Sequence, residues 1–106
     1  MSGTSLDSID AVLATVSDHQ VKLEEFLEYP LDKALRQQLI DLCQPGDNEI
    51  ERMGRVDRML GREFASAVNA LLIKSGKTAA EIIAIGSHGQ TIRHRPGGKN
   101  SFTLQI

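Results

Sequence analysis

Two stretches of this 106-residue chain combine glycine with a dense set of polar groups suited to an anion or a hydroxylated ligand. The first is the opening Met1, Ser2, Gly3, Thr4, Ser5, Leu6, Asp7, Ser8, Ile9 and Asp10. Glycine lets successive backbone N–H groups converge on an anion, and hydroxyls add donors for phosphate oxygens. Asp7 and Asp10 would repel a phosphate directly, so their useful role there is to hold Mg2+, or its water shell, against the phosphate oxygens. The same residues also suit a plain turn in which Ser and Asp satisfy nearby backbone donors. The second stretch is Gly86, Ser87, His88, Gly89, Gln90 and Thr91. It comes directly after an apolar run, at the kind of rim where sheet-based α/β folds commonly bind ligands. Its two glycines leave room for one, and Ser87, His88, Gln90 and Thr91 offer donors and acceptors suited to sugar hydroxyl, amide or carboxylate groups. A histidine beside a glycine serves equally often as a structural hydrogen-bonding residue.

Other combinations carry less. Gly76, Lys77 and Thr78 resemble the end of a P-loop, but Leu71 stands where that motif requires its first glycine. The Gly86 and Gly89 spacing does not match a dinucleotide fingerprint. Ser87 and His88 lack a third, orienting group and make no hydrolase triad, and His88 and His94 lack companions for a metal centre. Arg93, His94 and Arg95 could attract an anion, although their place on a hairpin favours a solvated face. The single Cys43 supports neither an internal disulfide nor a zinc cluster, so stability must come from packing.

The elements that position these stretches are set by periodicity. Ile9, Ala11 and Leu13 alternate with Asp10, Val12 and Ala14 in a mostly apolar run that predicts a strand covered on both faces. A turn at residues 17–20 and a second alternating run over 21–29, closed by Pro30, predict an antiparallel hairpin. Leu31, Leu35, Leu39 and Leu42 fall at helical spacing before the breaker Gln44, Pro45, Gly46 and Asp47. A long helix is predicted from Asn48 to about Ser75 on the spacing of Ile50, Met53, Val56, Leu60, Phe64, Val68 and Leu71, with Gly76 as its cap. Gly54 and Gly61 inside it cost about 1 kcal/mol each relative to Ala, which predicts close approach to another element. Thr78 and Glu81 have capping-box spacing. Residues 82–86 read as a central, doubly covered strand. The segments on either side of residues 96–100 predict a second hairpin.

Composition narrows the function classes. The chain is 41% hydrophobic and 25% charged with a net charge of −2, as for one ordinary globular domain, and it carries no basic field for nucleic acid or an anionic membrane. No apolar run approaches the roughly 20 residues of a membrane span, and the N-terminus has no signal-like pattern, which predicts a cytoplasmic protein. The first residues have no strand before them and the last stop inside an alternating pattern, so the chain reads as cut at both ends.

Taken in order, residues 1–7, Ile9, Asp10 and Ala11, residues 84–91, residues 102–106 and the helical residues 60–65 and 67–72 resemble the anhydro-N-acetylmuramic acid kinase family. The resemblance spans essentially the whole chain. It implies an α/β fold, part of the first lobe of the actin/hexokinase-like (ribonuclease H-like) ATPase fold, with a mixed sheet and flanking helices. Residues 1–106 would be a single incomplete domain, an N-terminal lobe fragment carrying the phosphate loop. The implied activity transfers the γ-phosphoryl of ATP to O6 of the anhydro sugar while water opens the 1,6-anhydro bond, giving N-acetylmuramic acid 6-phosphate in cell-wall recycling. By the same resemblance Gly3, Thr4, Ser5, Leu6, Asp7, Ser8, Ile9 and Asp10 form the ATP phosphate loop, and Asp7 is the carboxylate nearest Mg2+. Ser87, His88, Gln90 and Thr91 lie toward the sugar. The implied partners are ATP and a small amino sugar, with no nucleic acid and no membrane, and the complete protein could pair as a homodimer. The catalytic aspartate would lie beyond Ile106, so the fragment alone is expected to be inactive. Ser8 departs from the family's usual glycine and could tighten the turn after Asp7. The alternative from another class is a non-catalytic nucleotide-binding or interaction module built on a sugar-kinase half-fold.

Overall fold

The alternating run from Ile9 folds against its neighbour as expected. A computed structural model of the chain describes residues 6–106 and places β1 at Ser8–Val16 and β2 at Val21–Pro30. They pair antiparallel from Ser8 opposite Pro30 to Val16 opposite Val21, with a bulge between Leu13 and Ala14. Ser17 closes the turn by donating its N–H to the Gln20 carbonyl at 2.9 Å. The period of two puts Ile9, Ala11, Leu13 and Leu27 on the better buried face, and Asp10, Val12, Ala14 and Phe26 on the other. That second face is open, contrary to the expectation of cover on both sides: Val12 is 56% and Phe26 43% exposed. On it Asp10 stands directly opposite Glu28, a like-charge pair that water can screen but a covered face could not.

Helix α1 (Lys33–Leu42) starts where the Asp32 carboxylate accepts the Leu35 N–H at 3.1 Å, satisfying one of the orphan donors of the first turn. Its Leu35, Leu39 and Leu42 are buried. Helix α2 (Glu49–Ser75) buries Val56, Leu60, Ala67 and Leu71. It ends at Gly76, whose φ of 74° is the left-handed cap that glycine adopts without penalty. Ile50 departs from the predicted apolar face and is 78% exposed. The expected close approach to Gly54 and Gly61 is not found: a Cβ built at either meets nothing within 4 Å among the described residues. A 3-10 turn (Ala79–Glu81) comes next with the predicted capping box, in which hydrogen bonds from the Thr78 backbone and side chain hold the Glu81 carboxyl below the usual carboxylate range.

The second hairpin forms between β3 (Thr91–Arg95) and β4 (Phe102–Gln105). Its register breaks between Thr91 and Arg93, and the intervening Ile92 is buried with Leu6, Leu31, Leu35, Leu39, Leu42, Val56 and Leu60. This is the core, and among the described residues no polar residue is buried in it.

The main departure is at residues 82–86, which form no strand. Ile83 is fully exposed at 101% and Ile85 is 67% exposed. A central strand needs a ladder on each side, and no described strand pairs with this segment. β1 pairs only with β2, and an apolar groove of about 900 Å³ lies between β1 and residues 82–90, lined also by Leu60, Phe64, Ala67 and Leu71 of α2. Among the described residues the strands of this α/β chain form two separate two-stranded antiparallel sheets, not the expected mixed sheet. The radius of gyration, 16.1 Å, exceeds the roughly 13 Å of a compact domain of 100 residues.

Candidate functional site around the groove

The predicted phosphate donors Gly3, Thr4 and Ser5 lie outside the described residues. Leu6 is buried in the core and anchors the entry to β1, and the Asp7 carbonyl accepts the Leu31 N–H at 3.0 Å, which extends the β1–β2 ladder by one rung. The Asp7 carboxylate lies 3.5 Å from Arg36 Nε, with both side chains well exposed, so the pair contributes little to stability. Ser8 needs no special backbone: it begins β1 opposite Pro30, and the only non-glycine residue with positive φ among those described is Asn48. The missing glycine after Asp7 thus causes no strain at Ser8. Ile9 points toward the core, whereas Asp10 is exposed beside Glu28.

Parts of the two predicted motifs line one groove, and Asp7 and Thr91 do not. Leu6, Ser8, Ile9 and Asp10 line it together with Ser87, His88 and Gln90. The polar stretch keeps its shape through β3 and β4: Gln90 donates to the Ile106 carbonyl at 2.8 Å and Ile106 returns the bond at 3.0 Å. Thr91 Oγ1 accepts from Gln105 Nε2 at 3.1 Å, which turns that hydroxyl toward the hairpin. The Gly89 N–H donates to Ser87 Oγ at 3.2 Å. Gly89 has φ +68°, and a Cβ there would collide with the Ile106 carbonyl, so this glycine makes way for protein. Gly86 meets nothing within 4 Å.

Asp7 suits the way Mg2+ is commonly held, by one or two carboxylates with phosphate oxygens completing the shell. Among the described residues no cluster of three or more acidic, histidine or cysteine groups could hold a metal without a ligand's help.

Arg93 is a functional-looking residue with a structural duty. Its side chain is only 18% exposed. One guanidinium nitrogen donates to the Leu42 carbonyl at 3.2 Å, at the end of α1, and to the Glu49 carboxylate, at the start of α2. This corrects the solvated face expected from the sequence at Arg93, whereas His94 and Arg95 are exposed as expected. The hydrogen bond from Arg93 holds the Glu49 carboxyl below its usual range, opposed in part by desolvation. The basic run at Arg93, His94 and Arg95 gave no sign of this, because the partners are 51 and 44 residues away.

A second recess, of about 310 Å³, lies between α2 and the polar turn and adds Asp57 and Gly61 to Ser87 and His88. Their spacing with Phe64 was visible in the sequence as a helical stripe, but nothing there said which side it faced. No described helix is long and apolar enough to cross a membrane.

A family model described as anhydro-N-acetylmuramic acid kinase matches residues 1–106. Proteins named anhydro-N-acetylmuramic acid kinase from Shewanella halifaxensis (strain HAW-EB4) and Shewanella loihica (strain ATCC BAA-1088 / PV-4) are 51% and 52% identical over 106 residues. One of the same name from Shewanella frigidimarina (strain NCIMB 400) is 53% identical over 107 residues. Each match covers 100% of this chain and 29% of the relative's length. The chain belongs to the anhydro-N-acetylmuramic acid kinase family.

Proposed function

We propose that these residues are the phosphate-loop portion of the first lobe of an ATP-dependent sugar kinase of the actin/hexokinase-like type. In this reading the complete protein is cytoplasmic and converts an anhydro-N-acetylmuramic acid to the 6-phosphate. The match of all 106 residues to the family model carries the proposal. The groove marks where a further strand of the complete lobe would lie, pairing with the free edge of β1 and covering Ile83 and Ile85.

The chemistry balances in two coupled displacements. Water adds at C1 of the sugar as the C1–O6 bridge breaks, and O6 forms its bond to the γ-phosphorus as the bond to ADP breaks. The proton of the attacking water passes to a base supplied by the rest of the protein. Within these residues, Gly3, Thr4 and Ser5 supply donors to the phosphate oxygens and Asp7 orients Mg2+ and its waters. Mg2+ itself, when bound, neutralises charge on the transferring group. Ser87 and His88 hold sugar hydroxyls on the facing side, and Gln90, clamped to Ile106, fixes their placement.

The test is a coupled assay of the complete kinase with ATP and 1,6-anhydro-N-acetylmuramic acid, scoring the sugar 6-phosphate. Asp7→Ala is expected to lower kcat/KM by about 10²-fold, roughly 3 kcal/mol of transition-state stabilisation. Near-normal turnover would remove Asp7 from the role, and no product from the unsubstituted protein would remove the kinase reading. The 106-residue chain alone is expected to turn over nothing.

A further inference from the structure

We propose that the stripe of α2 carrying Asp57 and Gly61 is the second wall of the sugar site, Gly61 being glycine to make room for ligand and Asp57 accepting a ligand hydroxyl or amide N–H. This rests on the sugar-kinase reading above. Asp57, Gly61 and Phe64 fall at i, i+4 and i+7 and so share one face of the helix. All three line the recess of about 310 Å³ whose opposite side is Ser87 and His88. That volume is at the lower end of small-molecule sites, the size for one ring rather than a nucleotide.

The glycines of this chain separate into two kinds. Gly89 is required by protein, because the Ile106 carbonyl occupies the space of its missing Cβ. Gly61 is required by nothing described: its Cβ would meet no atom within 4 Å, and its φ is not in the left-handed region. A glycine inside a helix weakens that helix relative to alanine, and at exposed Gly61 the missing side chain leaves the mouth of the recess open. Phe64 gives the recess an apolar wall for the C–H face of a pyranose. Asp57 adds a carboxylate that complements rim hydroxyls, as sites with a few placed polar groups on an apolar lining do. Gly54 is a built-in control, since it too meets nothing within 4 Å but lines neither the groove nor the recess.

In the complete kinase, Gly61→Ala is expected to raise the KM for the anhydro sugar at least tenfold, with the KM for ATP within twofold and Tm equal or higher. Gly54→Ala is expected to raise Tm and leave both KM values unchanged. Asp57→Asn should weaken binding of the anhydro sugar about fivefold or more in calorimetry without ATP. Unchanged sugar affinity in both Gly61→Ala and Asp57→Asn would overturn the assignment, as would a lowered Tm in Gly61→Ala with unchanged KM, which would mark the glycine as a packing residue. Sugar binding by the parent with those null effects sinks this inference alone. Absence of sugar binding by the parent sinks the kinase reading on which it stands.

Discussion

The corner formed by α1, α2 and β3 and the strip at residues 82–86 contain the same kind of side chains and reach opposite ends. Leu35, Leu39 and Val56 are each 1% exposed, whereas Ile83 is 101% exposed. The corner closes because every partner it needs comes from this chain: leucines at helical spacing meet Val56, Leu60 and Ile92, and Arg93 satisfies the carbonyl at the end of α1. The strip has apolar residues in sequence but no described strand beside it. Hydrophobicity sets the demand for burial, and only a neighbour at the right edge meets it.

The sharpest way to break this comparison is to truncate one side chain in each region. Leu39→Ala is expected to destabilise the chain by about 3 kcal/mol, from lost transfer energy plus the cavity left behind. Ile83→Ala should change stability by less than about 0.5 kcal/mol, as exposed positions do. Urea denaturation measures both, and equal losses would mean that residues 82–86 are covered after all. Next in size is Arg93→Ala, which leaves the Leu42 carbonyl without this donor and removes the link between the helices. About 2 kcal/mol is expected by the same measurement. Asp32→Ala, which removes the cap of α1, should cost about 1 kcal/mol, and the loss should be seen in α1 while the β1–β2 hairpin is unaffected.

The smallest effect is a pH dependence. Arg93 lowers the folded-state pKa of Glu49, so the pair's contribution is present above the ordinary glutamate value, about 4.3. It is lost as pH falls through the lowered folded value. Glu49→Gln is expected to flatten that part of the stability profile. An identical acid slope in parent and variant would show that the pair is not formed in solution.

Much of the fold was legible because its signals are local. The Ser8–Val16 and Val21–Pro30 hairpin, the stop at Pro45, the Gly76 cap and the Thr78 capping box each depend on a few adjacent residues. The failures were all non-local. Residues 82–86 have the composition of a central strand, but composition does not supply a ladder. Arg93 looked like surface until folding brought it to Leu42 and Glu49. Gly54 and Gly61 advertised close approach, and no described element makes it. Of the candidate site, Ser8 and Asp10 line one groove with Ser87 and His88, whereas Asp7 does not line it and Thr91 is turned toward Gln105. Asp57 is exposed, as a carboxylate on a long amphipathic helix is read to be, and only its place at the rim of the recess sets it apart.

The reciprocal bonds between Gln90 and Ile106 have a mechanical consequence. They fasten the downstream end of the His88 turn to the β3–β4 hairpin, while among the described residues no backbone bond restrains the amides of residues 83–87. A displacement of that hairpin is therefore passed on to Gly89 and Gln90 and taken up in the backbone just upstream of them.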